Sequence, residues 1–424
     1  MIRRYLLRAP ASVVTLYALV AAFGAYFCMY AFRKPFTAAS FEDKAILVIA
    51  QLIGYTLAKG VGIIWIPQVK KQYRAAYAIG LIVIAESALI LFAFLPPPIR
   101  WISLLINGFP LGFIWGLVFS YLEGRRFTEV LSAGLTISFI LSSGMVKSVG
   151  AWLLVRFNLA PASMPWITGL FFLPMELLFI WMLTQIPEPS REDQHERTYR
   201  PVMNFREMRR FYATFAPGFL LLTAAYMLFT ALRDIRENFA NEIWHELSHF
   251  NASIFTVTEL PIGPVIGVFM ALCYRIKDHH AAYGLYHAAA ISGMSTALVA
   301  TYLFVHQMVS PVAWMIALGI GIYLAYVTFS SVLFDRIIAA FRYPATAGFM
   351  IYVVDTAGYT GSILVMLGKQ YAEPGQQWLP FFVDLVQWTG TMGILLMSIS
   401  WIYFRLKSRR ERDPGSSDMV LAGS

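Results

Sequence analysis

The sequence predicts an all-α membrane protein with twelve transmembrane helices in two pseudo-symmetric six-helix bundles. Three observations predict it. Of 424 residues, 58% are apolar and 13% are Asp, Glu, Lys or Arg, about half the roughly 25% charged content of a soluble domain. Apolar stretches recur twelve times at the length of about 20 residues that crosses a ~30 Å hydrocarbon core. One strongly polar run separates the first six from the last six. The composition excludes a disordered chain, a disulfide-rich secreted scaffold and an ordinary cytosolic enzyme.

The spans follow in order. The first, 12–37, is too long for a signal h-region and has no A-x-A site before a soluble stretch. The second, 45–66, carries Lys59, and the third, 75–95, carries Glu86 and stops at Pro96-Pro97-Pro98. The fourth, 100–121, opens at Trp101, and the fifth, 131–155, holds Lys147 near its middle. Trp166 and Trp181 mark the ends of the sixth, 164–186. The seventh, 211–233, ends at Arg233, where Asp234, Arg236 and Glu237 follow as an outer boundary. The eighth, 252–274, contains Glu259, and the ninth spans 281–305. The tenth, 311–333, opens near Trp314, and the eleventh, 346–368, contains Asp355. The twelfth, 379–404, lies between Trp378 and Trp401. Tryptophan at span ends is the pattern of an interfacial aromatic belt.

Little else remains. The pieces 187–210, 234–251 and beyond Phe404 are too short to bury a core. The expected organisation is therefore an N-terminal bundle at 1–186, a cytoplasmic linker at 187–210, a C-terminal bundle at 211–404 and a cytoplasmic tail at 405–424. Cys28 and Cys273 both fall inside spans and form no disulfide framework.

The net charge of +9 is a topology signal in such a chain. With the N-terminus inside, 23 of the 33 Lys and Arg residues fall on the cytoplasmic side, 8 in the opposite half of the structure, with Arg33 and Arg233 among them, and the remaining 2, Lys59 and Lys147, deeper within spans. The expectation is a multi-pass protein of the cell (inner) membrane with both termini cytoplasmic. No nucleic-acid partner is implied.

The halves retain traces of duplication. Ala25-Tyr26 precedes Arg33 in the first span as Ala225-Tyr226 precedes Arg233 in the seventh, at an offset of 200. Ala75-Ala76-Tyr77 recurs as Ala281-Ala282-Tyr283, at an offset of 206. Six plus six helices in parallel repeat is the major facilitator arrangement, with its substrate site at the midplane between the halves.

An ionisable group at the bilayer centre costs at least about 2.5–3.5 kcal/mol. Those in the spans are Arg33, Lys59, Glu86, Lys147, Arg233, Glu259 and Asp355. Arg33 and Arg233 occupy matching repeat positions. Two such cations ~10 Å apart repel by about 1.7 kcal/mol at an effective dielectric near 20, and an anion between them reverses the sign. The guanidinium fork suits phosphate or carboxylate. The alternative is that each pairs with a neighbouring carboxylate or snorkels outward. Lys59 is read as a third anion contact, the alternative being that it snorkels towards the cytoplasmic end. Lys147 is further from both ends, so snorkelling is harder, and it needs either a substrate anion or a carboxylate such as Asp355. Tyr26 and Tyr226 are read as lining the path. Lys34, Glu259 and Asp355 are the candidates for coupling or gating, with a structural counter-ion as the alternative for Asp355.

At these residues the chain resembles the major facilitator superfamily, and within it the organophosphate:phosphate antiporter family. Ala25-Tyr26 through Arg33-Lys34-Pro35-Phe36, Gly54-Tyr55-Thr56-Leu57-Ala58-Lys59, Asn107-Gly108, Thr258-Glu259-Leu260-Pro261 and the run Thr346–Ser362 are each similar to short family patterns. The resemblance implies an anion-binding role for Arg33, Arg233 and Lys59. It departs in having no histidine between 131 and 155, and no aspartate in the stretch Gly62–Lys71.

One motif competes. His245-Glu246-Leu247-Ser248-His249 matches H-E-x-x-H, which on a helix binds zinc with the glutamate as base. Glu242 is a possible third ligand. The other reading is an amphipathic external helix with Trp244 and Leu247 against lipid. The chain carries no Walker or nucleotide fingerprint. The expected function is a secondary transporter of a small anionic metabolite by alternating access, exchanging it for phosphate or coupling it to protons, as a monomer without cofactor or metal. The alternatives are a non-transporting sensor on the same fold and a zinc metalloprotease.

Overall fold

Each apolar stretch forms a helix, since a chain in lipid must satisfy its backbone hydrogen bonds internally. The computed structural model describes residues 2–122, 128–188, 205–248, 250–331, 333–341, 347–372 and 376–412. The first six spans are Ala11–Met29, Lys44–Trp65, Lys71–Phe94, Arg100–Phe119, Thr128–Arg156 and Met164–Thr184. The second six begin with Phe205–Asn238 and an eighth span in two pieces, Ile254–Glu259 and Ile262–Tyr274. His279–Val305, Pro311–Ser331, Ala347–Ala372 and Trp378–Arg412 complete them. Eleven helices among the described residues are long and apolar enough to cross a membrane. The remaining one, the eleventh span Ala347–Ala372, carries Asp355 and packs between the second and seventh spans. Most of the linker expected at 187–210, and the tail beyond Arg412, lie outside the described residues.

Three departures from the expected span boundaries bear on the site. The first span ends early. Its α-helix stops at Met29, a 3-10 turn covers Tyr30–Phe32, and Arg33 leaves helical geometry at φ −120°. Pro35 opens a second 3-10 turn, Pro35–Ala38. A proline here cannot donate to the carbonyl four residues back, and its ring collides with it. Arg33 and Lys34 therefore sit in a turn. Pro261 breaks the eighth span in the same way. The seventh span runs one turn further, to Asn238. Asp234, Arg236 and Glu237 are consequently buried within the protein and do not form an outer boundary.

Call the end bearing the linker the linker end, and the opposite end the far end. Close helix contacts hold each half together. Gly54 and Gly108 let the second and fourth spans touch backbone to backbone. A Cβ at Gly108 would lie 2.1 Å from the Gln51 carbonyl oxygen, and one at Gly54 2.2 Å from that of Leu105. Between the halves, the second span packs on the eleventh and the fifth on the eighth.

The short helix Ala240–Glu246 closes the far end of the C-terminal half. Trp244 is fully buried, which corrects the expectation that it faces lipid. The Glu246 carboxylate accepts the backbone N–H groups of Trp378 and Leu379, both at 2.8 Å. It thus satisfies two of the four unbonded donors at the start of the last helix. His245 stacks on Phe250 with ring centroids 4.2 Å apart. His249 lies outside the described residues. Glu246 is occupied as a helix cap, so the H-E-x-x-H reading loses its base.

Candidate functional site

The turn at Arg33 is fixed by two amides. Asn107 Nδ2 donates to the carbonyls of Phe32 (3.0 Å) and Ala85 (2.9 Å). Gln51 Nε2 donates to the Arg33 carbonyl (3.1 Å) and to Asn107 Oδ1 (2.7 Å). The Arg33 side chain is 5% exposed. Its guanidinium carbon lies 4.0 Å from the centre of the Tyr55 ring and 5.9 Å from that of Tyr30, within cation–π range. Its Nε has no hydrogen-bond partner. Among the described residues no carboxylate forms an ion pair with it.

Arg233 lies at the matching place in the C-terminal half, and also on a tyrosine, 4.1 Å from the Tyr326 ring centre. It differs in being neutralised. Asp234 Oδ1 lies 2.6 Å from its Nη2, and Glu237 4.0 Å from its Nε. Of the two expected outcomes, a counter-ion for each arginine or an open anion clamp, the structure shows the first at Arg233 and leaves Arg33 uncompensated.

Lys59 forms an ion pair with Asp355 across the interface between halves. The other Asp355 oxygen accepts from the Tyr226 hydroxyl at 2.6 Å. Lys59 Nζ also lies 5.4 Å from the Tyr55 ring centre and 5.0 Å from that of Tyr359. Tyr55 and Tyr359 meet edge to face at 5.5 Å, and Tyr226 stacks on Tyr326 at 5.2 Å. A continuous series of contacts thus runs from Arg33 to Arg233 through Tyr55, Lys59, Asp355, Tyr226 and Tyr326. Tyr26 packs edge-on against Tyr30 at 5.6 Å.

A second group lies toward the far end and centres on Glu237. Lys34 Nζ approaches Glu237 Oε2 and Asn238 Oδ1, each at 2.8 Å. Tyr323 donates its hydroxyl proton to the same carboxylate. Lys147 Nζ donates to the Glu237 backbone carbonyl at 3.0 Å and lies 5.2 Å from the Phe255 ring centre. The pairing of Lys147 with Asp355 is therefore not what forms. Lys59 takes that carboxylate, and Lys147 is stabilised by a carbonyl and a ring face. Glu259 pairs with Arg236 at 2.6 Å. Further out, Lys44 meets Glu242 at 2.7 Å, and Asn241 donates to Ser40 Oγ at 2.9 Å. Lys34, Ser40 and Lys44 belong to the N-terminal half and their partners to the other, so these contacts bind the two halves at the far end.

Of the residues singled out from the sequence, the structure brings Arg33, Arg233, Lys59, Tyr226 and Asp355 into one neighbourhood. The sequence reading missed Asp234, Arg236 and Glu237 as buried members, and Tyr55, Tyr326 and Tyr359 as platforms for cations. A signal existed for two of them. Tyr55 precedes Lys59 by four residues and Tyr359 follows Asp355 by four, the spacing that shares a helix face. The described residues hold a cavity of about 500 Å³ elsewhere, between the ninth and twelfth spans at the linker end, beside His280, Tyr283, Trp401 and Arg405. No group of three His, Cys, Asp or Glu residues is placed to hold a metal among the described residues.

The halved helical architecture and its polar midplane can now be set beside known proteins. Residues 27–407 match the sequence profile described as "Family of unknown function (DUF5690)". The chain belongs to the DUF5690 family. No curated protein matches this DUF5690 chain in sequence. Solved structures do match in shape. A D-xylose-proton symporter aligns with TM-score 0.62 at 14% identity, covering 93% of this chain and 98% of that one. The nucleoside transporter NupG aligns at 0.61 and 14%, covering 91% and 98%. The human organic anion transporter MFSD10 aligns at 0.56 and 13%, covering 92% and 100%. These likenesses establish that the DUF5690 chain has the twelve-helix major facilitator fold.

Proposed function

We propose that this DUF5690 protein is a secondary transporter that carries a small organic anion, a phosphorylated or carboxylated metabolite, by alternating access. The observation that carries the reading is Arg33, a buried guanidinium on a tyrosine face with an unbonded Nε and no carboxylate partner among the described residues. A buried charge without a counter-charge is costly, and a bound anion removes that cost. The wider balance agrees. Arg33, Lys34, Lys59, Lys147, Arg233 and Arg236 are cations, while Asp234, Glu237, Glu259 and Asp355 are the carboxylates among them. An anion entering between the halves would contact Arg33 first and compete with Asp355 for Lys59. Arg233, held by Asp234, would engage after rearrangement. Asp355, released from Lys59, would then be free to take a proton.

The fold supports transport, because major facilitator proteins bind substrate between the halves and rock about it. The neighbours in shape include a sugar symporter, a nucleoside transporter and an organic anion transporter. The similarity of the segments around Arg33 and Lys59 to organophosphate:phosphate antiporters favours a phosphorylated substrate exchanged for phosphate. Placing the linker end in the cytoplasm, as the Lys/Arg bias favours, makes the far end the outer one. The Lys34–Glu237 and Lys44–Glu242 pairs then seal the outward mouth.

The test is a thermal-shift screen of the purified protein against phosphorylated and carboxylated metabolites, followed by binding to Arg33→Gln. A ligand at a hundred times its Kd stabilises the protein by about 2.7 kcal/mol, a readable shift. Loss of that shift in Arg33→Gln is expected. Undiminished binding of an anionic hit would falsify the anion site. Binding without flux in liposomes would turn the reading to a sensor.

A further inference from the structure

Two carboxyl groups lie outside the site described above and have no hydrogen-bond partner among the described residues. Glu86 is on the third span and Glu176 on the sixth, 6% and 0% exposed. All four of their side-chain oxygens are buried without a hydrogen-bond partner. Glu86 points at the sixth span. A Cβ built on Gly169 would lie 2.1 Å from Glu86 Oε2 and 3.1 Å from Phe32 Cδ1. Only glycine leaves room for the carboxyl there. Glu176 lies seven residues beyond Gly169, two turns along the same helix face. The Cys28 thiol of the first span lies near Glu176. The two acids therefore line one seam, where the sixth span packs on the first and third.

We propose that Glu86 and Glu176 form a proton-binding site in the N-terminal half, separate from the cavity between the halves. The carboxyls hold protons in the state seen here, and one or both release them to solvent when the seam loosens. A bare carboxylate surrounded by Phe32, Gly169 and apolar helix faces would be a buried, unpaired charge, so the neutral acid is the form that fits. A neutral acid that served only as filler would be replaced by an apolar residue at no cost to packing. The titratable and charged groups on the packed elements are Tyr17, Tyr26 and Cys28 on the first span, with Tyr30 and Arg33 just past its end, and Lys147 and Arg156 on the fifth; Tyr17 donates to the Met182 carbonyl at 3.2 Å and Lys147 to the Glu237 carbonyl. The fourth span contributes the neutral Asn107 amide. No base competes for these protons among the described residues.

The seam is also tied to the Arg33 turn. Asn107 bonds the carbonyls of Ala85, next to Glu86, and of Phe32, next to Arg33. Movement of the third span on ionisation of Glu86 is transmitted to that turn through one side chain. The chemistry is reversible proton dissociation, carboxylic acid to carboxylate plus a hydron to water, and needs no co-reactant.

The experiment is infrared spectroscopy of the purified protein with no anion added, so its outcome does not depend on the anion reading. A carbonyl band of protonated carboxylic acid is expected in the wild type. It should shift on transfer to D2O and fade as pH is raised while the protein remains folded. Each of Glu86→Gln and Glu176→Gln should lose part of the band, and the double variant should lose it. A second measurement needs no variant: a hydrophobic carbodiimide, which adds to protonated carboxyls, should modify Glu86 or Glu176 in peptide maps, less so at high pH. A band indifferent to both substitutions, or one that neither exchanges in D2O nor responds to pH, would overturn the proposal. So would a carbodiimide map in which neither residue is modified at any pH.

Discussion

Arg33 and Arg233 show how the same residue at matching repeat positions can be left in opposite electrostatic states. Each rests on a tyrosine, but only Arg233 has carboxylates beside it. Substitution should separate them. Arg33→Gln removes an uncompensated buried cation and should leave the melting temperature unchanged or higher, while abolishing anion binding. Arg233→Gln strands Asp234 and should lower stability by about 3–5 kcal/mol, the usual cost of breaking a buried pair from one side; thermal unfolding in detergent reads both. Asp355→Asn should likewise destabilise by stranding Lys59, and Lys59→Met combined with it should recover much of the loss. A double-mutant cycle tests this, and additive losses would mean that the pair is not coupled. At this scale the sequence told that Lys59 and Asp355 lie inside the protein, because apolar flanks forbid any other place for them, but not that Asp234, Arg236 and Glu237 do. It did not tell which charges pair. Lys59 and Asp355 are 296 positions apart, and their meeting depends on the packing of two bundles rather than on any local pattern.

At the scale of elements, helix ends carry the information the sequence pattern blurred. Hydropathy falls after Arg233, so the seventh span reads as finished, yet the helix continues through Glu237 because Lys34, Arg236 and Tyr323 have partners there. Local polarity marks a boundary only when water is the sole available partner. Pro35 and Pro261 were visible signals for the breaks at Arg33 and in the eighth span, and the apolar run length masked them. The last helix depends on a cap from elsewhere. Glu246→Gln should weaken two charge-assisted bonds and lower stability by about 1–3 kcal/mol, whereas His245→Ala should change neither stability nor its indifference to zinc. Calorimetry with and without zinc checks both, and a zinc-dependent rise lost in His245→Ala would revive the metal reading. Gly108→Leu should prevent folding, because the new side chain meets the Gln51 backbone and not a movable side chain.

For the whole molecule, the contacts that join the halves include a set at the far end, where Lys34, Ser40 and Lys44 meet residues of the seventh span and the short helix after it. Neutralising Glu237 and Glu242 together should weaken that seal. A cysteine in place of Asn241 should then react faster with a bulky thiol reagent, and an unchanged rate would mean that the seal lies elsewhere. Orientation is testable independently. A cysteine replacing Asn158, in the far-end turn after the fifth span, should be labelled from outside the cell, and one replacing Lys277 only after permeabilisation. The two-bundle plan was legible in the sequence from span count, linker and repeat. The far-end closure was not, because it depends on the conformation the protein occupies.

Asn107 draws together the first, second, third and fourth spans through the Phe32 carbonyl, Gln51 and the Ala85 carbonyl. Four helices that share one buried amide cannot slide past one another without leaving it unsatisfied. If the protein works by the proposed alternating access, spin labels placed on any two of these helices should therefore keep one fixed separation in every state. A label on any of them and one on the eleventh should give two separations.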